Sequence, residues 1–212
     1  MLEILTMLFI GFSLGLTGAL VPGPMLFATI ETSLNKGWTS GPKVVSGHAL
    51  IELLIFVLIV SGFSTLASQS VILWISVIGG AVMVMFGIMT LREGQTATLS
   101  GGTSVFKSPF AAGVITSISH PYFWLWWLTI GAGMILMGLE VSLLAASVFL
   151  IGHLMADLGW YTMVSTTMSR GKTLMSEVMY QRILMGCGVF LIAFGVWFMT
   201  SQLNLGKFFG LQ

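Results

Sequence analysis

Two histidine–acid pairs occupy matching places in the two halves of this chain. His48 lies four residues before Glu52, and His153 lies four residues before Asp157. Residues four apart share one face of a helix, so each imidazole can share a proton with its acid or only satisfy it by a hydrogen bond. Imidazole titrates near neutral pH, and both groups also bind transition metals. The pairs predict a proton relay through the histidines or, alternatively, a divalent-metal site built from all four residues.

The surrounding sequence is strongly apolar. Of the 212 residues, 56% are hydrophobic and 7% are charged, compared with about 25% charged residues in ordinary soluble domains. The mean hydropathy is +1.01. A surface so poor in charge suits lipid, which predicts an all-α integral membrane protein. The net charge of +1 gives no reason to expect nucleic acid, and the single cysteine, Cys187, excludes an intramolecular disulfide and a dithiol relay.

Six apolar runs approach the length of about 20 residues that a spanning helix needs. They cover 4–30, 44–66, 70–91, 109–138, 141–168 and 183–203. With six spans, seven of the eight Lys and Arg residues fall on one side, in the loops 31–43, 92–108 and 169–182. An excess of Lys and Arg marks the cytoplasmic side. The protein is therefore predicted to lie in the cytoplasmic membrane with both termini on its outer side.

The two halves of the sequence resemble each other. The pattern G-H-x-x-x-acid-L occurs at 47–53 and again at 152–158, an offset of 105. The glycine pair Gly80 and Gly87 has a counterpart in Gly188 and Gly195, 108 residues later. Gly15 and Gly113, about 98 residues apart, each precede a proline break. Fixed self-similarity indicates internal repeats.

Three spans in each half make the two repeats inverted relative to each other. We therefore predict six transmembrane helices in one transmembrane domain, 1–212. It consists of a first three-helix repeat at 1–92, a cytoplasmic linker at 93–108, a second repeat at 109–203 and a short external tail at 204–212. Inverted repeats are typical of transporters that bind their substrate near the membrane midplane.

Prolines break the first and fourth spans. Proline removes a backbone donor and clashes with the preceding turn, and irregular backbone within a membrane is tolerated only where protein or a cavity covers it. Buried carboxylates are also costly there and typically functional. These features together predict a substrate-binding or coupling site formed by Pro22, Gly23, Pro24, Glu52, His120, Pro121 and Asp157.

Two further features have a functional and a simpler interpretation. Tyr122 and Trp124 belong to an aromatic run that could attract a cationic ammonium group or form an interfacial belt. Glu31 is a candidate gate, or a residue of the headgroup region, near the predicted cytoplasmic end of its helix.

Several of these motifs resemble those of the lysine exporter family of the LysE/RhtB type. The first half carries Gly15, Gly18, 22–24, Gly37, Gly41 and Gly47, and the second carries the run 119–127, in which His120 stands where the family usually has Asn. The G-H-x-x-x-E stretch is similar to that of prokaryotic, notably archaeal, members. The resemblance implies export of amino acids or their derivatives, driven by a proton gradient or the membrane potential, without a bound cofactor.

The function predicted from the sequence is therefore a secondary exporter of amino acids, not an enzyme. Its expected partners are the small-molecule substrate, protons, membrane lipid and a second copy of the chain in a homodimer. Two alternatives are a divalent metal-ion exporter, with His48, Glu52, His153 and Asp157 as ligands, and a non-transporting membrane scaffold. The wider superfamily also includes metal exporters, but no His-rich or Cys-rich loop is present to collect metal.

Overall fold

Apolar helices account for most of the chain. The computed structural model describes residues 2–20, 23–62, 69–96, 105–171, 174 and 176–208. Its α-helices are α1 Leu2–Ala19, α2 Pro24–Lys36, α3 Ser40–Val60, α4 Gln69–Thr96, α5 Pro109–Ser119, α6 Pro121–Trp126, α7 Ala132–Val141, α8 Leu143–Gly171 and α9 Glu177–Phe208. A π-helical turn, Trp127–Gly131, joins α6 to α7. No strand occurs in these ranges, so the all-α prediction is confirmed for them.

Four of the described helices are long and apolar enough to cross a membrane. They are Leu2–Ala19, Ser40–Val60, Leu143–Gly171 and the Glu177–Trp197 part of α9. The predicted runs 4–30 and 109–138 are each divided into shorter helices. Large apolar side chains on several helices face outward: Phe9 is 63% exposed, Leu54 53% and Leu143 57%.

Both predicted proline breaks are helix ends in the structure. α1 ends at Ala19, and α2 begins again at Pro24 after an extended Gly23. α5 ends at Ser119, His120 is extended, and Pro121 occupies the first turn of α6. Pro22 lies outside the described residues.

The predicted polar loop 31–43 is much shorter than expected. α2 continues to Lys36 and α3 begins at Ser40, which leaves only 37–39 as a connection. Gly37 has φ of 85°, a backbone conformation that glycine adopts without strain, and it ends α2. The error arose because polarity was equated with loop, whereas Glu31 lies within α2 and is buried.

Glycines allow the helices to approach closely in two matching pairs, α1 with α8 and α3 with α5. A side chain on Gly11 would collide with the carbonyl of Phe149, and one on Gly113 would collide with the carbonyl of Val44. Phe149 and Val44 are themselves 105 residues apart. The equivalent of Gly113 is therefore Gly11, not Gly15 as the sequence comparison had it, an error of about one helical turn.

α4 and α9 cross each other in the same manner. An ideal Cβ on Gly80 would lie 2.8 Å from the carbonyl oxygen of Gly195, and one on Gly87 would lie 2.7 Å from that of Gly188. The four repeated glycines of the sequence thus form two backbone contacts between antiparallel helices. Small residues at such crossings are typical of helices packed in membranes.

Candidate functional site

α3 and α8 bring the two histidine–acid pairs together in the protein interior. The Glu52 side chain is fully buried, and His48, His153 and Asp157 are 8%, 5% and 3% exposed. Nε2 of each histidine lies 3.0 Å from Oε1 of Glu52. Asp157 Oδ2 lies 3.5 Å from Nε2 of His153 and 3.7 Å from that of His48. We call these four residues the buried centre.

The pairing inside the buried centre differs in part from the pairing expected from the sequence. His48 contacts its own acid, Glu52, as expected. His153 instead makes its hydrogen-bonding contact with Glu52 on the other helix, at 3.0 Å. Helical spacing identifies residues on one face but does not say which face of another helix they will meet.

Two residues that the sequence analysis missed hold the buried centre in place. The indole N–H of Trp127 donates to Oε1 of Glu52 across 3.2 Å. Nδ1 of His48 lies 2.6 Å from the hydroxyl of Ser117, which donates its own proton to the Gly113 carbonyl across 2.6 Å. A helical spacing of four between Gly113 and Ser117 was the available signal, because it places both on the face of α5 that meets α3.

The Ser117 contact bears on where His48 carries a hydrogen. With the Ser117 hydroxyl donating to Gly113, it would accept from Nδ1–H of His48, and in neutral imidazole Nε2 would then carry no hydrogen. Nε2 faces Glu52 Oε1 at 3.0 Å. A proton must therefore lie between these two atoms, either on the imidazole or on the carboxyl group.

The other histidine has a different environment. At the place equivalent to Ser117, α1 carries Gly15, whose ideal Cβ would lie 2.9 Å from Nδ1 of His153. Among the described residues, this Nδ1 has no hydrogen-bond partner, and neither do Oε2 of Glu52 and Oδ2 of Asp157. Buried polar atoms without partners are destabilising, so their presence is a signature of a functional site.

A cavity of about 60 Å³ adjoins the buried centre, which is space for a few water molecules at about 10–15 Å³ each. The two helix breaks meet at it: an ideal Cβ on Gly23 would lie 2.8 Å from Nε2 of His120. Its lining is mainly aromatic and polar and includes Gly23, His48, Glu52, Ser117, His120, Tyr122, Trp126, Trp127, His153, Asp157 and Tyr161.

Some of the predicted site residues lie elsewhere. The indole of Trp124 donates to the carbonyl of Ile118 across 2.8 Å, and Trp124 is not among the cavity's lining residues. Pro24 lines a smaller neighbouring cavity together with Glu31, and Thr116 borders both cavities. Pro121 begins α6. The structure thus places Gly23, His120 and Tyr122 at the cavity beside the buried centre, whereas Trp124 does not line it.

Glu31 holds the segment before α5 against α2. Its Oε1 accepts hydrogen bonds from the backbone N–H of Val105, at 3.1 Å, and from the Asn35 amide, at 3.3 Å. The Lys36 ammonium donates to the carbonyl oxygens of Phe106, at 3.1 Å, and Lys107. The segment 105–107 is therefore fastened to the end of α2 by one acidic and one basic side chain.

Exposed apolar helix faces around an interior of paired ionisable groups define a multi-pass membrane protein with a polar centre. The chain belongs to the LysE type translocator family, which matches residues 16–202. This is a family of transporters, so the chain is a translocator and not an enzyme.

Two curated proteins are similar to it along most of their length. One is the "Putative amino acid efflux protein YcgF" of Bacillus subtilis, 27% identical over 87% of this chain and 91% of the relative. The other is the "Uncharacterized membrane protein YahN" of Escherichia coli, 27% identical over 70% of this chain and 68% of the relative. No solved structure matches the chain.

Proposed function

We propose that the protein is a secondary exporter of amino acids or their derivatives in the cytoplasmic membrane. The observation that carries this proposal is the buried centre beside a cavity where two helix breaks meet, in a chain of a translocator family. The similarity to a protein named for amino acid efflux supports the substrate class. A non-transporting scaffold would have no use for buried ionisable groups that lack full hydrogen bonding.

The proposed architecture is six spans in two inverted repeats. The first repeat would consist of three spans: α1 together with α2, then α3, then α4. The second repeat would consist of α5 together with α6 and α7, then α8, then α9. The matched glycine contacts of α1 with α8, α3 with α5 and α4 with α9 support this arrangement. The distribution of Lys and Arg supports cytoplasmic connections from α2 to α3, from α4 to α5 and from α8 to α9, and external termini. A homodimer in lipid stays a prediction.

The substrate would lie in the cavity with its two charged groups pointing in different directions. α2 begins beside it, and Gly23 provides no side-chain cap for the first N–H groups of that helix. These N–H groups and the helix dipole favour a carboxylate. The ammonium group would meet Glu52 and Asp157, and the ring of Tyr122 would add a cation–π contact.

Protons would couple export to the membrane gradient through the buried centre. A proton already has to lie between His48 and Glu52, and His153 shares the same carboxylate oxygen. Movement of a proton between the two histidines would therefore change the charge that the substrate ammonium meets. His48 and His153 would connect this exchange to the two sides of the membrane.

Glu31 would act as a gate on the cytoplasmic side. Glu31 lines the smaller cavity, and Thr116 borders both this cavity and the one beside the buried centre. Release of the segment 105–107 from Glu31 and Lys36 would open a route past Thr116. In the observed state this segment is held by hydrogen bonds to both side chains.

Solute counterflow in proteoliposomes tests the proposed function. Labelled amino acids should exchange across vesicles that contain the protein, and Glu52→Gln or Asp157→Asn should abolish exchange while the protein stays folded. The matched control is Glu140→Gln, because Glu140 is an exposed acid near the end of α7. Normal exchange in both centre variants would contradict the mechanism. Flux of divalent ions without amino acid flux would replace it by metal export.

A further inference from the structure

Four potential ligand atoms converge at the buried centre. His48, Glu52 and Asp157 each offer one ligand atom, and these three atoms all lie within 4.8 Å of one another. Nε2 of His153 lies outside this group of three, but it is 3.0 Å from Oε1 of Glu52 and 3.5 Å from Oδ2 of Asp157. Two nitrogen and two oxygen ligands are a set that suits transition metals.

We propose that the buried centre is a binding site for a divalent transition-metal ion such as Zn²⁺, with His48, Glu52 and Asp157 as ligands and His153 as the fourth. Ligands at the usual zinc distances of about 2.0–2.2 Å lie roughly 3.3–3.6 Å apart at the corners of a tetrahedron. The four nitrogen–oxygen separations are 3.0, 3.0, 3.5 and 3.7 Å. These four edges therefore lie within about 0.6 Å of those of a zinc tetrahedron, and binding of an ion would bring His153 into the group of three.

Charge balance favours a divalent ion at this place. Two carboxylates and two neutral imidazoles carry two negative charges, which such an ion neutralises in an interior of low dielectric constant. Asp157 is 3% exposed, and its Oδ2 has no hydrogen-bond partner among the described residues. A metal ion would provide the partner that this oxygen lacks.

The surroundings of two ligands resemble the outer shell of a metal site. Metal-bound histidines usually donate their second ring N–H to an oxygen, which fixes the ring and its tautomer. The contact of His48 Nδ1 with Ser117 has this form. The indole of Trp127 donates to the ligating oxygen of Glu52 and would orient that carboxylate.

Metal and coupling protons would occupy the same atoms, because only deprotonated ligands bind the ion. Zinc should therefore compete with protons and inhibit amino acid exchange. His120 and Tyr161 also face the cavity, but neither belongs to the four-atom set. The inference stands apart from the proposed function, because binding can be measured on purified protein without any transport.

Equilibrium dialysis against buffered Zn²⁺, followed by metal analysis of the purified protein in detergent, tests the site. The chain has three histidines, so any polyhistidine tag has to be removed first. We expect one zinc per chain, and Co²⁺ in its place should give the visible spectrum of a tetrahedral site. Mg²⁺ should not compete, since it requires octahedral oxygen coordination.

Substituting a residue that only hydrogen-bonds to a metal ligand typically weakens metal binding about 10–100-fold. The ligand variants His48→Gln, His153→Gln and Asp157→Asn should each weaken zinc binding by more than this. Ser117→Ala should weaken it within that range. The matched control is His120→Gln, which removes the third histidine from the same cavity but no proposed ligand, and Cys187→Ser excludes the thiol. Both controls should keep full binding.

Thermal unfolding of each variant shows whether it remains folded. If His48→Gln is unfolded, the isosteric Asp157→Asn variant and the cobalt spectrum of the unaltered protein decide the matter. Zinc binding no higher than that of empty micelles, or equal binding in the folded ligand variants, would refute the site. Amino acid exchange without zinc binding would refute the metal site alone, and zinc binding without exchange would refute the proposed transport alone.

Discussion

The Glu52 carboxylate is the residue on which the buried centre depends. Its Oε1 atom is contacted by both histidines and by the indole of Trp127, while its Oε2 atom has no partner among the described residues. Placing three nitrogen atoms around one oxygen makes each contact sensitive to the protonation of the others. Removing one partner of a buried carboxylate is strongly destabilising, because the charge is left without full compensation.

Trp127→Phe should destabilise the protein by removing the N–H that donates to Glu52. A hydrogen bond to a charged group contributes about 1.5–3 kcal/mol, so the midpoint of thermal unfolding in detergent should fall clearly. Trp160→Phe is the matched control, because the buried indole nitrogen of Trp160 has no hydrogen-bond partner in the described part of the chain. Equal shifts in the two variants would show that ring size, rather than the hydrogen bond, determines the effect.

The helices position the centre in ways that the sequence revealed only in part. The two histidine–acid pairs were predicted because the same spacing, four residues from histidine to acid, occurs in both halves of the sequence. α3 and α8 contain the pairs as expected. Trp127 was not predicted, because it starts a π-helical turn. Such turns depend on tertiary packing and frequently occur at functional sites, and no residue pattern in the aromatic run distinguishes them from an α-helix.

Substitution of a helix glycine by alanine should be tolerated only where the structure leaves space for the added Cβ atom. In α8, a Cβ on Gly152 would collide with the carbonyl of Leu8 on α1, whereas one on Gly159 would meet no atom within 4 Å. Gly152→Ala should therefore lower the unfolding midpoint. Gly159→Ala should keep or raise it, because alanine is favoured over glycine in helices by about 1 kcal/mol. If the midpoint fell equally in both, helix packing at Gly152 would not be the cause.

At the scale of the whole molecule, the offset of 105 residues between the two histidine–acid motifs was the most informative feature of the sequence. It placed His48 and His153 in equivalent positions, and the structure brings both to one carboxylate. The sequence did not reveal that Ser117, beside His48, and Gly15, beside His153, occupy equivalent places. The two residues differ in type, and their separation along the chain differs from the 105 residues that separate the two motifs. The resulting asymmetry between the two histidines became visible only through contacts between α1 and α8 and between α3 and α5.

The inverted arrangement predicts which side of the membrane each exposed charge occupies. In a Cys187→Ser background, which removes the only cysteine, single cysteines at the exposed positions Lys43, Lys107 and Arg182 should react with an impermeant maleimide only after intact cells are permeabilised. A cysteine at the exposed Glu140, between α7 and α8, should react from outside. This pattern follows from an odd number of spans between Lys107 and Glu140 and from the excess of Lys and Arg on the cytoplasmic side. Labelling of Lys107→Cys and Glu140→Cys from the same side would mean that α5, α6 and α7 do not cross the membrane as one broken span, and the inverted repeat would have to be abandoned.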